Sequence, residues 1–141
     1  MMTPSEILIA GRQYLDPLLQ ASGYTLVLED SDRGSGGPFV QAAYVRAARR
    51  LEFSVRHTLG LVQYVDAGLR LDHEDLVRAA SVGGQRGEYP GYNTDPAMDF
   101  SDLANDLSRF GASFLDSGPE PFAKVCIWVA NHPRPKGMQA I

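Results

Sequence analysis

Phe39-Val40-Gln41-Ala42-Ala43-Tyr44-Val45-Arg46, followed by Leu51-Glu52-Phe53-Ser54-Val55-Arg56-His57, is the stretch on which the fold turns. Its reading as two strands rests on alternation: apolar residues recur at every second position, Val40, Ala42 and Tyr44 and then Leu51, Phe53 and Val55. A tight turn near residues 47–50 joins them. With Ala48 and Arg49 as central turn residues, Arg46 faces Leu51 and Tyr44 faces Phe53. Val40, Ala42 and Tyr44 then share one apolar face with Leu51, Phe53 and Val55, and such a face specifies register. The opposite face carries Gln41, Glu52, Ser54 and Arg56. Downstream, Leu59 to Asp66 is nearly all apolar and reads as a further strand. Upstream, Tyr24 to Glu29 alternates, with Tyr24, Leu26 and Leu28 on one face, before a breaker run from Asp30 to Pro38. The joins are short, so the four strands are expected as an antiparallel meander.

Helical signals flank the strands. Thr3, Pro4 and Glu6 form a capping signature. Ile7, Leu8, Gly11, Tyr14, Leu15, Leu18 and Leu19 follow at helical spacing, with Pro17 inside and Gly23 as the stop. Asp72 is placed to cap a short helix from His73 to Ala80. A glycine-rich loop over 81–95 precedes Asp95-Pro96, from which a helix is expected to run to about Asp116 on Phe100, Leu103, Leu107, Phe110 and Phe114. Phe122 to Ala130 is the last helix, and residues 133–141 are expected as a flexible tail. The fold class is α+β in a single domain over 1–141: an N-terminal helix, a four-stranded antiparallel meander, then three helices on one face of the sheet.

Composition sets the outer bounds. The chain has 141 residues, 44% of them hydrophobic, and a net charge of −4. That supports a packed core and argues against a nucleic-acid backbone as partner. No window approaches the ~18 apolar residues of a membrane span. Glu6, Arg12 and Asp16 interrupt the apolar run a signal peptide needs, so a cytoplasmic protein is expected. Cys126 is the sole cysteine and has no intrachain partner.

Several constellations carry chemistry, each beside a plainer reading. Asp95, Asp99, Asp102 and Asp106 are spaced 4, 3 and 4. At ~100° per residue they occupy one sector of ~60°, at the edge of the apolar stripe. A row of carboxylates suits a basic partner; the plainer reading is a solvated helix face. Tyr89 and Tyr92 flank a Pro-Gly turn just before this helix. They read as interface anchors or as rings folded back to seal the core. Arg56, His57 and Tyr64 read as a ligand site beside the sheet, with His57 as acid or base; the plainer role is a strand-end histidine bonded to backbone. Arg33-Gly34-Ser35-Gly36-Gly37-Pro38 has the glycines of a phosphate cradle but lacks its lysine and leads into a strand, so an inter-strand connection is expected. Arg46, Arg49 and Arg50 crowd the hairpin tip as a phosphate-binding or merely charged tip. His73-Glu74 and His132 lack metal-ligand spacing. No catalytic residue, metal or cofactor is assigned.

Arg56-His57-Thr58-Leu59-Gly60-Leu61-Val62-Gln63-Tyr64, Leu71-Asp72-His73-Glu74 and Tyr89-Pro90-Gly91-Tyr92-Asn93-Thr94-Asp95-Pro96 resemble a group of uncharacterised small bacterial α+β proteins. In that group a strand like "RxSLGLVxY" precedes a "YPG…DP" loop and a helix. The resemblance covers roughly residues 15 to 115 and implies a stand-alone bacterial protein with no assigned activity. The layout is also similar, at fold level, to immunity proteins of bacterial toxin systems. The expected function is therefore a non-enzymatic binding protein, immunity-like or regulatory, whose unidentified protein partner meets Tyr89, Tyr92, Asp95, Asp99, Asp102 and Asp106. The alternative is a small-ligand binder or enzyme built on Arg56, His57 and Tyr64. A third reading is a homodimer through the open sheet face, with Phe39 and Val45 as its apolar part.

Overall fold

The computed structural model describes residues 2–34, 37–116 and 118–134. The element order is α1 (Pro4–Ala21), β1 (Thr25–Gly34), β2 (Gly37–Arg46), β3 (Arg49–Val55), β4 (Leu59–Asp66), β5 (Leu69–Asp72), α2 (His73–Ala80), α3 (Ala97–Phe110), α4 (Ala112–Leu115) and α5 (Glu120–Asn131). The class is α+β, and the sheet is an antiparallel meander in the order β1-β2-β3-β4-β5.

α1 starts as the sequence dictates. Thr3 Oγ1 accepts from the Glu6 N–H, and Glu6 Oε1 accepts from the Thr3 N–H. The helix runs through Pro17 to Ala21 and buries Ile7, Leu8, Leu15 and Leu19. These pack with Val40, Ala42, Tyr44, Leu51, Phe53 and Val55 of the sheet, and with Phe100, Leu103 and Phe114, in one core. α1 and α3 cross closely at Gly11, where a Cβ would overlap the Phe100 ring.

Five strands replace the four expected. β5 is only four residues long, and its hairpin with β4 turns on Ala67 (φ 50°) and Gly68 (φ 85°). Both central residues are left-handed, the geometry that matches strand twist, but Ala-Gly carries it without the usual Asn-Gly signature. The β2–β3 turn is Ala47-Ala48, so Arg46 pairs with Arg49, Tyr44 with Leu51 and Ala42 with Phe53. The expected register was two residues out. Because side chains alternate with period two, the even slip leaves the same residues on the same faces. β3 ends at Val55, so Arg56 and His57 lie in a turn rather than a strand. β1 pairs beyond Glu29, with Gly34 opposite Gly37, after a bulge between Leu28 and Asp30. The glycine-rich connection is thus a hairpin whose residues 35 and 36 fall outside the described ones.

The single helix expected to reach Asp116 is broken at Gly111. A Cβ there would lie 2.7 Å from the Leu107 carbonyl oxygen, and the chain restarts as α4. The arginines of the β2–β3 tip point into the fold. Arg46 donates to the carbonyls of Ser22, Leu115 and Asp116. Arg49, 4% exposed, donates to the carbonyls of Phe114, Asp116 and Gly118 and to Asp66 Oδ2. Arg50 alone lies on the open face, paired with Glu29 and Glu52. The merely charged tip favoured from sequence, like the phosphate-binding one, is therefore corrected to a clasp for Arg46 and Arg49: their guanidinium groups satisfy carbonyls just after α1 and within and after α4. The expected tail lies outside the described residues from 135 onward. Among the described residues no helix is long and apolar enough to cross a membrane.

Candidate functional site

β4 carries a bulge. Glu52 pairs with Gln63 and Ser54 with Gly60, so Phe53 faces both Leu61 and Val62. Leu61 takes up the extra residue with φ 51° and stands 77% exposed. Bulges re-aim a side chain, and this one turns Leu61 to the rim of a cleft. β5 leads directly into α2, which lines the cleft with His73, Val77 and Arg78. The third wall comes from the loop between α2 and α3, through Arg86, Tyr89 and Pro90. The cleft encloses about 640 Å3.

The loop is held from beneath by α3. Asp106, 0% exposed, accepts from the Glu88 N–H through Oδ1 (2.6 Å) and from the Tyr89 N–H through Oδ2 (2.9 Å). Asn93 donates from Nδ2 to Asp99 (3.1 Å) and Asp102 (2.7 Å). Asp95 Oδ1 accepts from the Ala97 N–H at 3.0 Å and so caps the first turn of α3. Two loop glycines are required by this closeness: a Cβ on Gly91 would overlap Asp102, and one on Gly87 would sit 2.6 Å from Asp106 Oδ2. Backbone N–H groups of a loop need acceptors; Asp106 serves those of Glu88 and Tyr89, while Asp99 and Asp102 hold the Asn93 side chain.

At the inner end of the cleft three side chains form a continuous chain. His73 Nε2 donates to Asp106 Oδ2 (2.8 Å), and the Tyr64 hydroxyl donates to His73 Nδ1 (2.7 Å) in the tautomer that satisfies both bonds. Tyr89 stands edge-on to the His73 ring and donates its hydroxyl to the Leu59 carbonyl. Burial disfavours the charged form of Asp106, but the bonds from His73, Glu88 and Tyr89 outweigh it and hold the carboxyl below the usual range. Burial, with the Asp106 charge nearby, pushes the Tyr64 phenol well above its ordinary value. Burial likewise pushes Tyr89 up to about 12, helped by Asp99 and Tyr92. Tyr64 therefore remains a donor.

This chain resembles a relay but ends in a phenol, not a nucleophile. Ser81 also lines the cleft, and its hydroxyl is donated to the Arg78 carbonyl. Cys126 lies on α5, its thiol raised by burial and by Asp66. All polar atoms of Tyr64, His73 and Asp106 already have partners inside the fold.

The residues singled out from sequence are distributed as follows. Of the four aspartates, Asp99 and Asp106 are buried, Asp102 is half-buried and Asp95 exposed. The two buried ones serve the loop and present no carboxylate to a partner. Tyr89 folds back, whereas Tyr92 is 90% exposed at φ 53°. Arg56, His57 and Tyr64 are not brought together: Tyr64 is buried on His73, His57 is exposed in its turn, and Arg56 lies over the Phe39 ring. His132 stacks on Trp128 while His73 points to Asp106. Asp72 sits at the cap position of α2, but its carboxylate accepts from Arg134 instead of the helix N–H groups. Sequence reasoning missed His73 as a core group because its neighbours Glu74 and Asp75 suggest a solvated turn. The only available signal was the apolar pair Leu76 and Val77, at helical spacing from it.

No family model, no curated protein and no solved structure matches this chain.

Proposed function

We propose that this protein is a non-catalytic recognition protein, immunity-like or regulatory in kind, acting in the bacterial cytoplasm. Its contact surface is the upper side of the 81–96 loop, with Tyr92 as anchor and Asp95 and Asp102 beside it. One observation carries the reading: the loop is tied down by three α3 carboxylates while Tyr92 is held outward, 90% exposed, in a left-handed conformation. A non-glycine residue in that region carries strain that persists only where its surroundings fix it. A rigid loop presenting an aromatic ring loses little entropy on binding. The fully satisfied Tyr64–His73–Asp106 chain, without a nucleophile, supports recognition over reaction.

A photo-crosslinker in place of Tyr92 identifies the partner, and titration then measures affinity. Tyr92→Ala is expected to weaken binding by about thirtyfold, the scale of an aromatic hot spot, without lowering thermal stability. Ile9→Ala, at an exposed apolar residue on α1, serves as control and should leave affinity unchanged. Equal affinity of Tyr92→Ala and the parent protein would rule out the loop as the contact surface.

A further inference from the structure

We propose that the cleft between α2 and the 81–96 loop binds a small apolar monocarboxylate, its body on Leu61, Val62 and Val77 and its carboxylate at Arg86. The inference is independent of the protein-partner reading, since it uses the inner wall of the loop and not Tyr92.

Volume comes first. About 640 Å3 is within the ordinary range for a small-molecule site. The cleft's inner wall is apolar: Val62 and Val77 are core residues, and Tyr89 and Pro90 close the loop side. Leu61 is the second observation. The bulge holds an exposed leucine at positive φ on the rim, where a polar residue or glycine would be less strained. An apolar ligand gives that side chain a partner.

Charge then selects the headgroup. Asp106, the carboxylate at the inner end of the cleft, is taken up by His73, Glu88 and Tyr89. Asp72 and Glu74 pair with Arg134 at 3.0 and 3.3 Å, and Asp75 with both Arg78 and Arg134. Among the described residues Arg86 is the lining cation with no carboxylate partner. It therefore favours an anion. The guanidinium fork matches a carboxylate in geometry. His73 offers no competing contact, because both its ring nitrogens are bonded within the fold.

Octanoate, octanol and octylamine share an apolar body and differ in headgroup, so they test the assignment. Binding is followed by methyl NMR shifts of Leu61, Val62 and Val77. Octanoate is expected to shift these methyls and to bind about threefold more tightly than octanol, the scale of an exposed ion pair, with octylamine weakest. Arg86→Gln removes the advantage of octanoate and leaves octanol unchanged. Leu61→Ser weakens both. Both residues are exposed, so neither variant removes a core side chain. Absence of methyl shifts, or shifts confined to Val27 and Val45 on the open face, would overturn the proposal. So would a ranking that favours octanol or octylamine, an octanoate preference that survives Arg86→Gln, or an unchanged affinity in Leu61→Ser.

Discussion

Asp106 accepts three hydrogen bonds from two separate segments: from His73 at the start of α2, and from Glu88 and Tyr89 of the loop. An asparagine of the same shape has one acceptor oxygen and turns a donor toward donors. Asp106→Asn is therefore expected to cost roughly 2–4 kcal/mol in urea unfolding at pH 7. The pH dependence has a defined sign. The folded carboxyl ionises more readily than the unfolded one, so its contribution is present above the unfolded value of about 3.9. It is lost as pH falls through the lower folded value. The stability gap between parent and Asp106→Asn should narrow across that acid window. A gap that stays constant down to the acid limit would show that the carboxylate charge is not what holds the loop. Tyr64→Phe leaves His73 Nδ1 without its donor and should cost about 1–3 kcal/mol, measured the same way.

Helix α1 meets α3 through a glycine. In an isolated helix Gly11→Ala would stabilise by roughly 0.5–1 kcal/mol. Here the added methyl overlaps Phe100, and overpacking of this kind costs about 1–3 kcal/mol. The expected result is a lower denaturation midpoint; a raised one would mean the two helices separate freely. Arg49 on β3 acts for another element. Its guanidinium satisfies three carbonyls after and within α4 and pairs with Asp66. Lysine keeps the charge but not the fork. Arg49→Lys should lose about 3 kcal/mol, close to the loss in Arg49→Ala, and equal stability of Arg49→Lys and the parent would reduce the clasp to a charge effect. Both features lay beyond sequence reading. Gly11 sat correctly in the apolar stripe, but only the crossing partner shows why a side chain is excluded. Arg49 looked like a charged tip because a hairpin end is normally solvated; the return of α4 buries it.

Across the whole molecule, one face of the sheet joins the helices in a core and the other remains partly open. The open face bears a ladder from Glu29 to Arg50, Glu52 and Arg70. A homodimer through this face would have to desolvate these paired charges, which rarely gives net affinity. Light scattering at micromolar concentration is expected to return a monomer, and a stable dimer lost in Arg50→Glu would overturn that expectation. Among the described residues the most exposed large apolar side chains, Tyr92, Val82 and Leu61, belong to the α2–α3 loop and the β4 bulge, and β1 adds Val27 and Leu28.

The alternation of Val40, Ala42, Tyr44, Leu51, Phe53 and Val55 by itself determined the meander and its buried face. Period-two geometry tolerates an even slip, so the correct face emerged from a shifted register. The capping box likewise determined the start of α1, since all its bonds lie within four residues. The direction of the aspartates was half legible: their spacing put them at the core edge, and the helix alone cannot say whether an edge faces water or a loop. Only the tertiary structure decided that, by laying residues 87–93 across α3 and bringing His73, 33 residues from Asp106, into contact with it. Contacts of that separation depend on how elements dock, and no local pattern encodes docking.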